Sequence, residues 1–288
     1  MALLPPLDLV GSPILLGVLV VCLAAEAARP LRARVQTRGE RLPTNVAMMA
    51  IASVMVRGFV IPVSVLLATM VTTRSWGLVP LLDLPAPAAA GIAFIAADYA
   101  TWLWHRLNHQ IPFLWRFHAV HHTDLDLDVT TAFRFHAGEL ALSLGFRALA
   151  IVVLGLGPAL LLVYEIAMDA ATAFHHSNLR LPVALERPLS LLVVTPRMHA
   201  IHHSIVEREA TANWSVVFSW WDRLHGTLRL DVAQDALVIG VPAYRAREAL
   251  TLGKLLVMPF RRHGAWWRLP DGRYPDRRPR GTPTRLAV

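Results

Sequence analysis

Long apolar segments restrict this chain to the folds that a membrane allows. Ser12–Ala28, Asn45–Val71 and Ala88–Trp104 are each close to the length that a helix needs to cross a bilayer. Only 17% of all residues are charged, whereas soluble domains carry about 25%. Because backbone polar groups inside a bilayer must be satisfied internally, these segments predict membrane-spanning α-helices.

A further apolar tract, Glu139–Phe174, is interrupted by the sequence Gly155-Leu156-Gly157-Pro158. Glycine and proline in that order mark a turn, so the tract predicts a hairpin of two short or re-entrant helices. Arg147 and Glu165 lie at similar distances on either side of the turn and should meet at equal depth. We expect them to form a structural ion pair.

The predicted fold class is therefore all-α. We expect an integral membrane helical protein with about four transmembrane helices, two of them as a hairpin, and a cytoplasmic helical cap that bears the histidine clusters described below. Ser12–Ala28 also has features of a secretory signal peptide. No basic residue precedes it, however, which favours a retained helix.

The net charge of +8 comes almost entirely from arginine, concentrated in Arg29–Arg41 and Arg261–Arg285. Beside apolar spans, such clusters more often face anionic lipid in the cytoplasm than nucleic acid. With Arg29–Arg41 in the cytoplasm, the alternating spans bring every histidine cluster to that face. The arginine- and alanine-rich composition suggests a bacterial inner membrane. Cys22 is the only cysteine, so no disulfide or cysteine-based metal site is expected.

Eleven of the thirteen histidines lie between His105 and His203. Eight of them form three patterned groups: His105 with His109; His118 with His121 and His122; and His199 with His202 and His203. Residues at i, i+3 and i+4 share one helix face, so each group offers two or three imidazoles to the same volume. Imidazole is a good ligand for iron, zinc, copper or nickel. Eight nitrogens are too many for one tetrahedral zinc ion and suit two metal ions.

With these motifs the chain resembles the fatty acid hydroxylase and sterol desaturase superfamily of membrane di-iron enzymes. The resemblance covers about residues 92–230. The segments that carry it are Asp98–His109, Leu114–His122, Arg134–His136, Phe174–Asn178, Thr195–His203 and Trp221–Thr227.

The resemblance implies roles for individual residues. It makes the eight patterned histidines metal ligands and adds His176 as a ninth. His175 is an alternative to His176, because a family position four residues upstream that can supply a ligand is Thr172 here. His136 is implied either as a ligand or as a residue that orients one, and Asp222 as a carboxylate that orients a ligand histidine. His225 replaces an aromatic residue of the family motif, so the resemblance gives it no role.

The implied cofactor is a pair of iron ions, and the implied reaction oxidises a C–H bond of a lipid with dioxygen. Zinc has no redox chemistry and cannot do this. The sequence contains no dinucleotide fingerprint, haem-attachment motif or cysteine-based iron–sulfur site. Electrons are therefore expected from a separate donor protein of the ferredoxin or cytochrome type. The basic tail is a candidate dock for it, although a solvated or lipid-binding tail is the better interpretation.

A membrane zinc hydrolase is the main alternative, but neither HExxH nor GxSxG occurs. A metal transporter would place its ligands along a path across the bilayer, and nucleic-acid binding would need a folded reading module. We expect three parts: N-terminal helices over 1–91, a di-metal catalytic domain over 92–230 and a basic tail over 231–288. The substrate lipid, the choice between hydroxylation and desaturation, and the oligomeric state stay open.

Overall fold

A computed structural model describes the backbone of residues 4–277 and the side chains of residues 11–277. The predicted basic tail beyond residue 277 lies outside the described residues. The α-helices are α1 (Leu4–Ala28), α2 (Arg38–Met55), α3 (Ile61–Arg74), α4 (Leu78–Leu81), α5 (Ala86–Gln110), α6 (Pro112–His122), α7 (Ala137–Leu154), α8 (Pro158–His176), α9 (Val183–Leu189), α10 (Pro196–His202), α11 (Glu207–Ala210), α12 (Trp220–Leu224) and α13 (Leu252–Val257). Within this part of the chain the only β-structure is three isolated bridges.

Four helical segments are long and apolar enough to cross a membrane: Gly11–Ala28, Arg38–Arg74, Ala86–Gln110 and Ala137–Leu154. Large apolar side chains point outward from them, among them Leu16, Val54 and Leu149, each more than half exposed. Exposed apolar surface of this extent is typical of lipid-facing helices. The predicted all-α membrane fold with four spans is confirmed.

The second segment is continuous but not uniform. A π-helical turn, Val56–Val60, joins α2 to α3. It lies where the sequence is interrupted by Arg57 and Pro62. Proline has no N–H to donate to the preceding turn, and local widening of the helix is one way to accommodate it. The third segment runs six residues beyond the predicted end at Trp104, which places His105 and His109 on its last turns.

The hairpin of α7 and α8 is also confirmed. α7 ends at Gly155, whose φ of +78° lies in the left-handed region that favours glycine. A Cβ at Gly155 would lie 2.5 Å from the carbonyl oxygen of Trp76, and one at Gly77 would lie 2.3 Å from the Gly155 nitrogen. The turn therefore packs backbone to backbone against the chain that follows α3. Arg147 and Glu165 form the predicted ion pair between the two helices.

Helix packing brings the N-terminal helices against the hairpin: α1 lies along α8 and α3 along α7. α5 contacts both hairpin helices and α6, and α10 contacts α8. The C-terminal ends of α5 and α8 and the N-terminal end of α7 consequently meet at one end of the bundle. The short helices α6 and α10 cap that end.

The Arg29–Arg41 cluster does not face lipid as a whole, contrary to our interpretation of the sequence. Arg41 is buried and pairs with Asp124 and Asp128 at 2.6 Å each. Arg38 donates to the fully buried Glu26 at 2.6 Å. Burying arginine is expensive unless it is paired, and each of these guanidinium groups has a carboxylate partner. Several of these arginines therefore tie the N-terminal helices to the loop that follows α6.

The described part of the C-terminal segment packs on the cap. Trp267 stacks on Trp115 of α6, with ring centroids 5.2 Å apart, and Trp266 contacts the same ring edge-on. The two tryptophans therefore pack the C-terminal segment against α6. The division of the chain at residues 91 and 230 stays a prediction.

Candidate metal centre

Four elements supply the clustered histidines. α5 ends with His105 and His109, and α8 ends with His175 and His176. The two HxxHH motifs lie on α6 and α10, with the last histidine of the second motif, His203, as the C-terminal cap of α10. Both short helices begin with proline after an extended residue and end within the motif. Each therefore projects its i, i+3 and i+4 imidazoles toward the ends of α5 and α8.

The imidazoles form two groups. In each group the potential ligand atoms all lie within 4.8 Å of one another. The first group contains five histidines and the second contains four: His105, His109, His118, His122 and His202; and His121, His176, His199 and His203. These are the nine residues predicted as ligands, although their binding of metal stays a prediction.

Hydrogen bonding among the imidazoles alone cannot satisfy the second group. The Nδ1 atom of His176 lies 2.8 Å from the Thr172 carbonyl oxygen and must donate to it, so its Nε2 is an acceptor. The Nε2 atoms of His121 and His199 lie 3.0 and 3.1 Å from that acceptor, and the Nε2 of His203 lies 3.1 Å from that of His199. Both contacts of His199 use its Nε2. In a neutral imidazole that nitrogen has either a hydrogen or a free lone pair, so it cannot both donate to His176 and accept from His203. Such short separations between nitrogens are those of neighbouring ligands around one transition-metal ion. The residues present therefore fit a metal ion.

Backbone carbonyl groups orient several of these rings. The Nδ1 of His105 lies 2.8 Å from the Trp214 oxygen, and the Nδ1 of His202 lies 2.8 Å from the Ala212 oxygen. The Nε2 of His202 is buried and without a hydrogen-bond partner among the described residues. Occupying Nδ1 in this way fixes the tautomer and leaves Nε2 for a metal.

Glu139 is the one carboxylate that contacts a grouped histidine among the described side chains. Its Oε1 accepts from Nδ1 of His118 at 2.8 Å, and both side chains are buried. A carboxylate there holds the ring in place and makes the distal nitrogen a stronger ligand. Sequence reasoning placed Glu139 only at the start of an apolar tract. The available signal was an acidic residue three positions after His136, at the first turn of a predicted span.

Burial makes the cap histidines poor bases. Desolvation, followed by electrostatic repulsion from neighbouring imidazoles, lowers the pKa values of His121, His122, His199, His202 and His203 well below the usual value of 6.5. The rings are therefore neutral at physiological pH, the form that binds a metal.

Two histidines named as further possibilities lie outside both groups. His136 caps α7: its Nδ1 accepts from the Gly138 N–H at 2.9 Å, and its Nε2 faces the Leu256 oxygen at 3.1 Å. Since backbone groups occupy both nitrogens, the structure gives His136 no free lone pair for a metal. His175 interacts with the backbone of Val216, and its ring centroid is 4.1 Å from that of His199.

Asp222 does not contact a grouped histidine directly. It accepts from the Trp214 and Ser215 N–H groups at 3.0 and 2.8 Å and from Nε1 of Trp102 at 3.1 Å. The Trp214 carbonyl oxygen in turn accepts a hydrogen bond from Nδ1 of His105. Asp222 therefore orients His105 indirectly, through the backbone at Trp214. His225 stacks on Trp102 with ring centroids 4.1 Å apart and lies outside both groups.

The loop after the first HxxHH motif is anchored by charge. Asp124 accepts from Nε and Nη2 of Arg41 at 2.8 and 2.6 Å and from the Thr131 hydroxyl at 2.8 Å. Burial raises the pKa of Asp124, but Arg41 and Arg134 outweigh it and hold that pKa well below its usual range. The carboxylate two residues after His122 is therefore ionised and fixes the end of α6.

A cavity of about 440 Å³ opens from the centre into the helical bundle. The histidines at its inner end include His105, His118, His121 and His176. From there its wall is mainly apolar and is built by α1, α2, α3, α5, α7 and α8, with residues such as Leu15, Val60, Phe146, Ile151 and Leu161. The arrangement connects a cluster of potential metal ligands to an apolar space inside membrane-spanning helices.

Residues 90–227 match the family model described as "Fatty acid hydroxylase". An ornithine lipid hydroxylase from Rhizobium tropici is 32% identical over 177 residues, which cover 60% of this chain and 50% of that protein. Human cholesterol 25-hydroxylase is 28% identical over 46% of this chain and 48% of its own length. Human alkylglycerol monooxygenase is 25% identical over 48% of this chain and 30% of its own length.

The chain thus spans about half the length, or less, of these relatives. No solved structure matches it. The matched segment contains all nine grouped histidines, together with Glu139 and Asp222. The resemblance seen in the histidine motifs is therefore confirmed: residues 90–227 match the domain model of the fatty acid hydroxylase family.

Proposed function

We propose that this protein is a membrane-bound oxygenase that hydroxylates a C–H bond of a lipid with dioxygen, two iron ions and electrons from a separate donor protein. The observation that carries the proposal is the direct opening of the two histidine groups into an apolar cavity within the bundle. An apolar cavity that ends at potential ligands of a redox-active metal suits a hydrocarbon chain, because one carbon of that chain must reach the oxidant.

Two iron ions fit the ligand set, one in each group. Nine imidazoles without a grouped carboxylate or cysteine favour a transition metal over calcium or magnesium. The first ion would be held by the group around His118 and the second by the group around His199. When bound, the metals would supply the Lewis acidity and the redox chemistry that activation of dioxygen requires, and the donor protein would supply the electrons.

The protein's own contribution is orientation and exclusion of water. Glu139 and the Trp214, Ala212 and Thr172 carbonyl groups hold four imidazoles in the tautomer that presents Nε2. Burial of most of these rings keeps water from competing for the site. The cavity wall positions one stretch of the lipid next to the centre.

Hydroxylation is favoured over desaturation and over zinc-dependent hydrolysis because the relatives are named as hydroxylases and a monooxygenase. Their names give an ornithine lipid, cholesterol and an alkylglycerol as substrates, which supports a lipid substrate without selecting one. We place the centre on the cytoplasmic side of a bacterial inner membrane, because the arginine-rich connection between α1 and α2 lies at the same end of the bundle as the histidines.

Lipid profiling tests the proposal. Cells that express the wild type are compared with cells that express His121→Ala, which removes one member of the second group. We expect a lipid product 16 mass units heavier than its precursor only with the wild type and only in the presence of oxygen. Metal analysis of the purified protein should find iron and not zinc. A product 2 units lighter would indicate desaturation, and identical lipid profiles with several lipids supplied would refute the enzyme hypothesis.

A further inference from the structure

The otherwise apolar cavity contains a group of charged side chains far from the histidines. Arg147 of α7 and Glu165 and Asp169 of α8 all line it, at the middle of the hairpin. Arg57 also lines it and donates to Ser12 at 3.1 Å. The hydroxylation chemistry proposed above uses none of these residues. Ionisable side chains inside membrane proteins commonly mark substrate or ion pathways.

The charges of these three hairpin side chains do not sum to zero. Arg147 forms its ion pair with Glu165. Asp169 lies one helical turn beyond Glu165 on the same face of α8 and interacts electrostatically with Arg147. Among residues 11–277 no donor forms a hydrogen bond with Asp169. Of the three charged side chains at the middle of the hairpin, one carboxylate is therefore in excess. A carboxylate in apolar surroundings is costly without a partner, and the open side of Asp169 faces the space where a substrate would lie.

The distance from Asp169 to the second histidine group sets a distance between two positions in the substrate. It precedes His176 by seven residues on one helix, which corresponds to about 10 Å along the helix axis. Consider a lipid that follows the cavity with its polar group at Asp169. The carbon about 10 Å from that polar group would then lie beside the second histidine group.

We propose that Asp169 binds an amino group of the lipid substrate, with the Arg147–Glu165 pair beside it as a fixed neutral support. This inference rests on the proposed function and adds the substrate class: a lipid with a protonated amine about 10 Å from the carbon that is hydroxylated. A protonated amine supplies both the positive charge and the hydrogen-bond donors that Asp169 lacks, whereas a carboxylate or phosphate would be repelled by it.

Binding is measured first, because it needs no electron donor. The metal-loaded protein is heated with and without a long-chain amine, the alcohol of equal chain length and the acid of equal chain length. A ligand that binds the folded state raises the unfolding temperature, and at equal concentration a tighter ligand raises it more. We expect the amine to bind most tightly. We expect Asp169→Asn to weaken its binding about ten- to a hundredfold, the loss typical of a charged hydrogen bond, with little change for the alcohol.

Two matched variants control for structure. Asp169→Glu keeps the charge and should keep the preference for the amine. Asp83→Asn makes the same change at an exposed carboxylate that does not line the cavity, and should leave all three affinities unchanged. Equal binding of amine and alcohol by the wild type, or an equal loss of all three ligands in Asp169→Asn, would overturn the assignment.

Product analysis separates this inference from the proposed function. In cells supplied with the same three lipids, we expect the amine to be hydroxylated at one position and Asp169→Asn to reduce that product selectively. If the wild type hydroxylates lipids and His121→Ala does not, while Asp169→Asn leaves the substrate preference intact, the amine site is wrong and the oxygenase proposal stands. If His121→Ala and the wild type give the same lipids, the oxygenase proposal itself is wrong.

Discussion

Replacing Glu139 tests whether a carboxylate outside the ligand set controls the metal centre. Its Oε1 lies 2.8 Å from Nδ1 of His118, and the two side chains are 5% and 4% exposed. The bond is therefore a desolvated, charge-assisted hydrogen bond rather than a solvent-screened contact. Such bonds contribute about 1.5–3 kcal/mol, and each 1.4 kcal/mol is about a tenfold change in an equilibrium constant. Removing the partner of a ligand histidine typically lowers metal affinity about 10–100-fold.

We expect Glu139→Ala to lower the affinity of the first histidine group for iron about 10–100-fold. Glu139→Gln keeps an oxygen acceptor without the charge and should lie between Glu139→Ala and the wild type. The measurement is iron content after dialysis against a graded series of chelator concentrations. About half of the iron should leave first, because the second group has no contact with Glu139.

Glu165→Gln is the matched control, since Glu165 is a carboxylate of the same cavity that pairs with Arg147 and with no histidine. It should retain iron like the wild type. If Glu139→Ala and Glu165→Gln release iron at the same chelator concentration, the reasoning from the His118 contact is refuted.

Three further predictions concern stability, measured as thermal unfolding in detergent. Arg41→Ala leaves Asp124 and Asp128 buried without their main cation and should cost about 3–5 kcal/mol, whereas Arg29→Ala, at an exposed arginine, should cost almost nothing. Gly155→Ala should destabilise by about 1–3 kcal/mol, because its φ is positive and its Cβ would meet the Trp76 carbonyl; Gly145→Ala, with open space around it, should be neutral or slightly stabilising. The metal-free protein should lose stability as the pH falls below about 6.5, since its cap histidines have lowered pKa values and the unfolded chain binds more protons. Equal unfolding temperatures of the metal-free protein at pH 7.5 and pH 5.5 would contradict that last expectation.

The sequence predicted the structure best where the type of a residue and its spacing along the chain pointed to the same feature. Histidines at i, i+3 and i+4 identified eight of the nine residues that the fold brings together, because residues at this spacing share one helix face, and the family resemblance added His176. The break at Gly155–Pro158 identified the hairpin, since glycine and proline leave few conformations open. Membrane spans followed from length and hydropathy alone.

Residues that act by tertiary contact were not predictable in the same way. Glu139 and Arg41 are single charged residues whose partners lie 21 and 83 positions away. No local pattern distinguishes a buried guanidinium from one that faces lipid, so the Arg29–Arg41 cluster was misinterpreted. His136 matched a family position, but whether it binds a metal or caps a helix depends on the direction of its ring, which only the fold determines.

The first three helices build much of the cavity wall and lie outside the segment that matches the family. A change in α1–α3 can therefore alter the cavity without altering any of the nine grouped histidines. Exchanging α1–α3 between relatives should redirect the oxidation to other carbons or other lipids and leave the oxidising apparatus intact. Much of the wall that would enclose the hydrocarbon chain and the residues that would hold the metals therefore come from different stretches of the chain.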